Sequence, residues 1–114
     1  MAFVHVNQPQ PNVDVRRMAT RAHEASEFLK ALAHESRLMI LCDLLQGEKS
    51  VGELEALLAR RQSSVSQQLA RLRLEGLVAA RRDGKTIYYS IASDKARSII
   101  GALYDSFCNP GGGA

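Results

Sequence analysis

No apolar stretch of this sequence approaches the roughly 20 residues that cross a membrane as a helix, so no membrane partner is expected. The opening MAFVHVNQPQP has neither the basic nor the apolar region of a secretory leader. The expected location is the cytoplasm. Cysteine is scarce: Cys42 and Cys108 are the only two. Far apart in a small cytosolic chain, they are expected to be reduced thiols at rest rather than a structural staple. The sequence has no Cys-x-x-Cys, nucleophile–base grouping, phosphate loop or metalloprotease motif. It is therefore not expected to be an enzyme, and no cofactor is expected. No internal repeat or linker divides the 114 residues, which make one domain. A chain of this size buries roughly two-thirds of its unfolded surface, so its core is small and dimerisation would help it.

What is present is a run of elements. Residues 1–12, with Pro9 and Pro11 and no periodicity, read as a mobile arm. Residues 13–108 read as the folded domain, and 109–114 as a flexible tail. A first helix is expected from about Asp14 to Ala33, with Val15, Met18, Ala19, Ala22, Ala25, Phe28, Leu29 and Leu32 at three- and four-residue steps. A second runs from about Glu35 to Gln46, with Leu38, Leu41, Cys42 and Leu45 on one stripe, and Gly47 stops it. Ser50-Val51-Gly52-Glu53 is a capping box. It opens a third helix to about Ala59 that should bury Leu54, Leu57 and Leu58. A fourth helix, from about Ser63 to Glu75, points Val65, Leu69 and Leu72 inward and ends at Gly76. Leu77–Arg82 and Lys85–Ile91 are expected to pair as a hairpin about a type I′ turn at Asp83-Gly84. The last helix spans about Asp94 to Cys108, with Ala96, Ile99, Ile100, Leu103, Tyr104 and Phe107 on its apolar side. The fold class is mainly α with a small β-hairpin: a winged helix-turn-helix of four helices, two strands and a closing helix.

The charge is informative by location. The net charge of +3 hides an uneven distribution. Residues 60–86 hold seven basic and two acidic residues, and the rest of the chain eight basic and ten acidic. A basic excess over the helix-turn-helix and wing is what phosphate binding requires. On the fourth helix, Ser64, Gln67, Gln68 and Arg71 share a polar face. Ser63, Ser64, Gln67 and Gln68 both donate and accept; glutamine can pair bidentately with the major-groove edge of adenine. Gln62 and Ser66 are further candidates. Arg71, Arg81, Arg82 and Lys85 are suited to hold phosphate rather than read bases, and Thr86 and Tyr88 are weaker wing candidates. The expected partner is double-stranded DNA.

The stretch LKALAHESRLMILCDLLQGEKSVGELEALL, followed by QSSVSQQLARLRLEGLVAARRDGKTIYYSI, resembles the ArsR/SmtB family of bacterial winged-helix repressors. The resemblance implies a homodimer joined through its first and last helices, an inverted-repeat operator, and release of DNA when an inducer binds. One departure concerns the turn before the recognition helix. Many members have a Gly-Leu-Ser type turn there, whereas this chain has Ala59-Arg60-Arg61. Arg61 cannot cap a helix as serine does, which leaves Gln62 or Ser63 as caps and frees the two arginines for phosphate.

Within the family, Ile40-Leu41-Cys42 and Ser106-Phe107-Cys108 resemble the dithiol subgroup of BigR/SqrR-like and HlyU-like sensors. That likeness implies Cys42 and Cys108 as redox-sensing residues that persulfide or polysulfide would bridge. Either cysteine also fits a plain apolar position. Peroxide and metals such as zinc stay as alternative inducers, although His5, His23 and His34 form no cluster and zinc normally takes four ligands. The run Ser50–Ile91 contains neither sulfur nor histidine, so a signal has to reach it from outside.

Overall fold

The computed structural model describes residues 9–59 and 62–109; the side chains of residues 62–64 lie outside that description. So do residues 1–8 and 110–114, which hold most of the expected arm and tail. The chain runs α1 (Val15–Leu32), α2 (Glu35–Leu44), β1 (Lys49–Ser50), α3 (Val51–Leu58), α4 (Gln62–Leu74), β2 (Val78–Asp83), β3 (Thr86–Ile91) and α5 (Asp94–Cys108). The strands form one antiparallel sheet in the order β1-β3-β2. This is the winged helix-turn-helix expected of the sequence, with one added strand. β1 has only two residues, too few to show an alternating pattern. Its pairing of Lys49 with Tyr89 and Ser50 with Tyr88 fastens the start of α3 to the wing.

Local chemistry sets the helix boundaries. Asp14 caps α1 by accepting the Arg16 N–H, and Ser93 caps α5 by accepting that of Ala96. α2 ends two residues before the expected Gln46. The amides of Gln46 and Gly47 bond back to Asp43 and Leu44 in a turn instead of continuing the helix. α4 closes in a Schellman motif: the Gly76 amide bonds to the Arg73 carbonyl at 3.0 Å and the Leu77 amide to that of Leu72 at 2.9 Å. Gly76 takes φ +76°, and Leu72 and Leu77 are both buried, as the motif's apolar contact requires. The recognition helix is thereby locked to the first residue leading into the wing.

The hairpin turn sits one residue later than expected. Asp83 pairs with Thr86, so the central residues are Gly84 and Lys85. Gly84 has φ +64°, whereas Ala59 is the only non-glycine with positive φ among the described residues. Positive φ at the first central position alone is the type II′ pattern, not type I′. Glycine leads the pair; β2 runs one residue further than expected, to Asp83, and β3 starts one residue later, at Thr86.

The core gathers Leu32 from α1, Ile40, Leu41 and Leu44 from α2, Leu54 from α3 and Val65, Leu69 and Leu72 from α4. Val78, Ile91, Ala96 and Ile100 complete its other side, and among the described residues no polar side chain is buried. Two expected core faces are narrower than their sequence patterns. Leu57 is exposed while Leu54 is buried, because α3 packs on one side only. On α1, only Leu32 of the expected stripe is buried; Ala25 and Phe28 are half-buried and the rest are exposed.

Candidate nucleic-acid interface and thiol pair

The interface begins with the cap of α3. Ser50 Oγ accepts the Glu53 amide at 3.1 Å and the Glu53 carboxylate accepts the Ser50 amide at 2.7 Å, the reciprocal capping box. At its other end α3 stops on Ala59, left-handed at φ +61° and ψ 13°, with its amide on the Glu55 carbonyl. Ala59 stands where many members of the resembling family have glycine, and it keeps the backbone conformation that glycine would favour. Arg60 and Arg61 lie outside the described residues. α4 then begins at Gln62, one residue before the expected start.

Along α4, Val65, Leu69 and Leu72 are buried, and this fixes which face is outward. Ser66, Gln67 and Arg71 are exposed, with Arg71 paired to Glu75 at 3.2 Å one turn on. The side chains of Gln62, Ser63 and Ser64 lie outside the description. Gln68 is different: it is half-buried, and its Oε1 accepts a hydrogen bond from Arg37 Nε at 2.6 Å. Arg37 was absent from the sequence-derived candidates. It lies off the apolar stripe of α2 and meets Gln68 across thirty-one residues, a separation with no sequence period to reveal it.

The wing divides its cations. Arg81 donates to both carboxylate oxygens of Glu48, at 3.0 and 2.7 Å, and its guanidinium lies 4.8 Å from the Tyr88 ring centroid. The hydrogen bond from Arg81 holds the Glu48 carboxyl below the usual carboxylate range. Arg82 and Lys85 are exposed, and among the described residues neither has an acidic partner. Thr86 and Tyr88 are half-buried. Glu48, just ahead of β1, also escaped the sequence reading, because nothing local distinguishes it from other surface glutamates.

The two thiols are on packed helices, α2 and α5. Cys42 is half-buried against the core, whereas Cys108 is exposed at the last residue of α5. Burial pushes the Cys42 thiol pKa up, and the charge of Cys108 and then that of Asp43 push it further. Asp43 is paired with Lys49 at 3.7 Å, which ties the residue beside Cys42 to β1. Among the described residues, no three His, Cys, Asp or Glu side chains group as a metal site. None of the described helices is long and apolar enough to cross a membrane.

A capped α3, a recognition helix with an outward polar face and a basic two-stranded wing together define a winged helix-turn-helix DNA-binding module. The model of the family "Bacterial regulatory protein, arsR family" matches residues 34–80, and the chain belongs to that family. A biofilm growth-associated repressor of Agrobacterium fabrum strain C58 is 55% identical over 93 residues, spanning 82% of this chain and 80% of the relative. The solved transcriptional repressor BigR of Xylella fastidiosa matches with TM-score 0.79 at 44% identity, over 84% of this chain and 98% of that one. The reduced form of HlyU from Vibrio cholerae matches with TM-score 0.76 at 42% identity, over 82% of this chain and 98% of the other. The protein is a DNA-binding transcriptional regulator, not an enzyme, and its likeness within the family is to the repressor BigR and to the regulator HlyU.

Proposed function

We propose that this protein is a homodimeric cytoplasmic repressor whose operator affinity falls when reactive sulfur bridges Cys42 and Cys108. The dimer places two copies of α4 in major grooves about one turn, roughly 34 Å, apart on an inverted repeat. Ser66 and Gln67 meet base edges with Gln62, Ser63 and Ser64, while Arg71, Arg82 and Lys85 hold phosphate. The genes it releases are those of a sulfide-detoxification type of response.

The observation that carries the sensing role is the placement of the thiols. They lie on two packed helices, one thiol exposed and one half-buried, and neither is on α4 or the wing. Cys42 is half-buried and its thiolate is disfavoured by burial, so the exposed Cys108 reacts first. Its thiolate attacks the sulfane sulfur of a low-molecular-weight persulfide, giving a Cys108 persulfide and releasing the thiolate of the donor. The Cys42 thiolate then attacks the inner sulfur, forming the disulfide and expelling hydrosulfide. If Cys42 is itself persulfidated first, the same attack leaves a trisulfide bridge. Either bridge ties α5 to α2 and changes the spacing of the recognition helices. A coupling of about 1–3 kcal/mol changes operator affinity roughly 5- to 150-fold.

Intact-mass analysis alongside operator binding tests this. Reduced protein is exposed in turn to a persulfide donor, peroxide and zinc. A bridge mass linking Cys42 to Cys108, with loss of operator binding on persulfide alone, is expected. A Cys42→Ser variant should acquire added sulfur on Cys108 and keep its grip on DNA. A wild-type response from that variant rules the mechanism out.

A further inference from the structure

Arg37 joins three helices through one planar group. Its Nη1 donates to the Ala31 carbonyl at 2.9 Å and its Nε to Gln68 Oε1 at 2.6 Å, both part-buried. The Ala31 carbonyl is in the last turn of α1, among the four that a helix leaves without an internal partner. One end of the guanidinium is therefore anchored by a backbone group, and the other end fixes a side chain of the recognition helix.

A guanidinium has five donors and no acceptor. The Gln68 atom facing it is necessarily the carbonyl oxygen, and this settles which way the amide points. Oε1 turns inward to α2. The NH2 group, on the opposite arm of the amide, has no partner among the described residues, and none of their buried side-chain nitrogens or oxygens lacks one.

We propose that Arg37 sets Gln68 as a hydrogen-bond donor toward the major groove, so that Gln68 selects guanine over adenine at one base pair of each half-site. Guanine presents two adjacent acceptors there. Adenine places an amine beside its single acceptor and is read by the amide carbonyl and NH2 together. Here the carbonyl is held toward α2 by a charge-assisted bond from Arg37. Arg37 is a positioning residue that touches no base. The inference rests on α4 entering the major groove and replaces the adenine pairing that glutamine alone suggests.

The test is selection of duplexes from a randomised pool by the full-length reduced protein. Anisotropy titrations then follow, with the base pair that responds to Gln68→Ala varied. Wild type should favour guanine there over adenine by roughly three- to tenfold, one net hydrogen bond. Gln68→Glu keeps its contact with Arg37 as an ion pair but has no N–H, and its preference should move to cytosine, whose amine a carboxylate accepts. Arg37→Met frees the amide and should erase the discrimination between guanine and adenine. A folded Arg37→Met protein with the wild-type preference overturns the proposal, as does adenine selected by wild type at that position. Uniform loss on every duplex for both Gln68 variants overturns it too, while α4 keeps its place in the groove. Absence of any sequence selection by wild type removes both readings.

Discussion

Arg81 on β2 grips Glu48, the residue ahead of β1, through two hydrogen bonds while covering the ring of its cross-strand partner Tyr88. The wing is thereby pinned to the segment that follows α2, and one of its three cations is occupied. Arg82 and Lys85 should each contribute about 0.9 to the slope of log affinity against log salt when they meet phosphate. Arg82→Ala and Lys85→Ala should each flatten the slope by that amount, and Arg81→Ala by much less. Glu48→Gln should steepen it, because Arg81 is released. The Glu48 pKa is lowered, so the grip is complete above the ordinary carboxylate pKa and is lost as pH falls through the lowered value. Equal slopes for the Arg81 and Arg82 variants would refute this division of labour.

Cys42 should alkylate more slowly than an ordinary thiol at a given pH, because its raised pKa limits the thiolate. Cys108→Ser should bring the Cys42 pKa part of the way down and no further, since burial, the larger cause, remains. The linkage has a definite sign. The folded thiol keeps a proton that the unfolded chain has released, so stability falls as pH rises from the ordinary thiol pKa toward the raised one. Urea titrations across that window should show the decline in wild type and lose it in Cys42→Ala. Iodoacetamide rates followed against pH check the first part.

Ala59 is left-handed, a conformation costing an L-residue about 1–2 kcal/mol. Ala59→Gly relieves that cost but gives the unfolded chain freedom worth about 0.4–1 kcal/mol. A net gain of about 0.5–1 kcal/mol in chemical denaturation is expected, without a change in operator affinity. At the other end of the same helix, Ser50→Ala removes the cap and should cost about 1 kcal/mol. A destabilised Ala59→Gly protein would mean that φ +61° is not adopted in solution.

These residues also show what a sequence can reveal. Ser50 and Glu53, or Gly76 after Leu72, act over three or four residues, and their partners are therefore written beside them. Val65, Leu69 and Leu72 follow the helical period and are all buried. Arg37 with Gln68, and Glu48 with Arg81, meet only because α2 packs on α4 and because β3 pairs with both β1 and β2, and no local pattern encodes such meetings. The turn at Gly84 lies one residue from its expected place because Asp-Gly and Gly-Lys are both acceptable hairpin pairs; strand register, a nonlocal quantity, decides between them. Amphipathic periodicity on α1 correctly marked a helix, but it cannot say whether its apolar face meets its own core or another molecule.

That last ambiguity supports a prediction about assembly. Val15, Met18 and Leu29 on α1 are 73%, 57% and 54% exposed, and Phe107 on α5 is 72% exposed. Large apolar groups at helical spacing on the first and last helices fit a two-fold contact with a second copy. A carboxylate placed there would be buried without a partner on association, whereas in the monomer it would meet water. Met18→Glu and Phe107→Glu should therefore shift sedimentation from dimer to monomer at little cost to the fold. A monomer binds only one half-site at a time. Affinity for the full inverted repeat should fall about a hundredfold or more, while affinity for an isolated half-site stays near that of wild type. Wild type sedimenting as a monomer at operator-binding concentrations, or a Met18→Glu dimer with full affinity, would show that these faces are not the dimer contact.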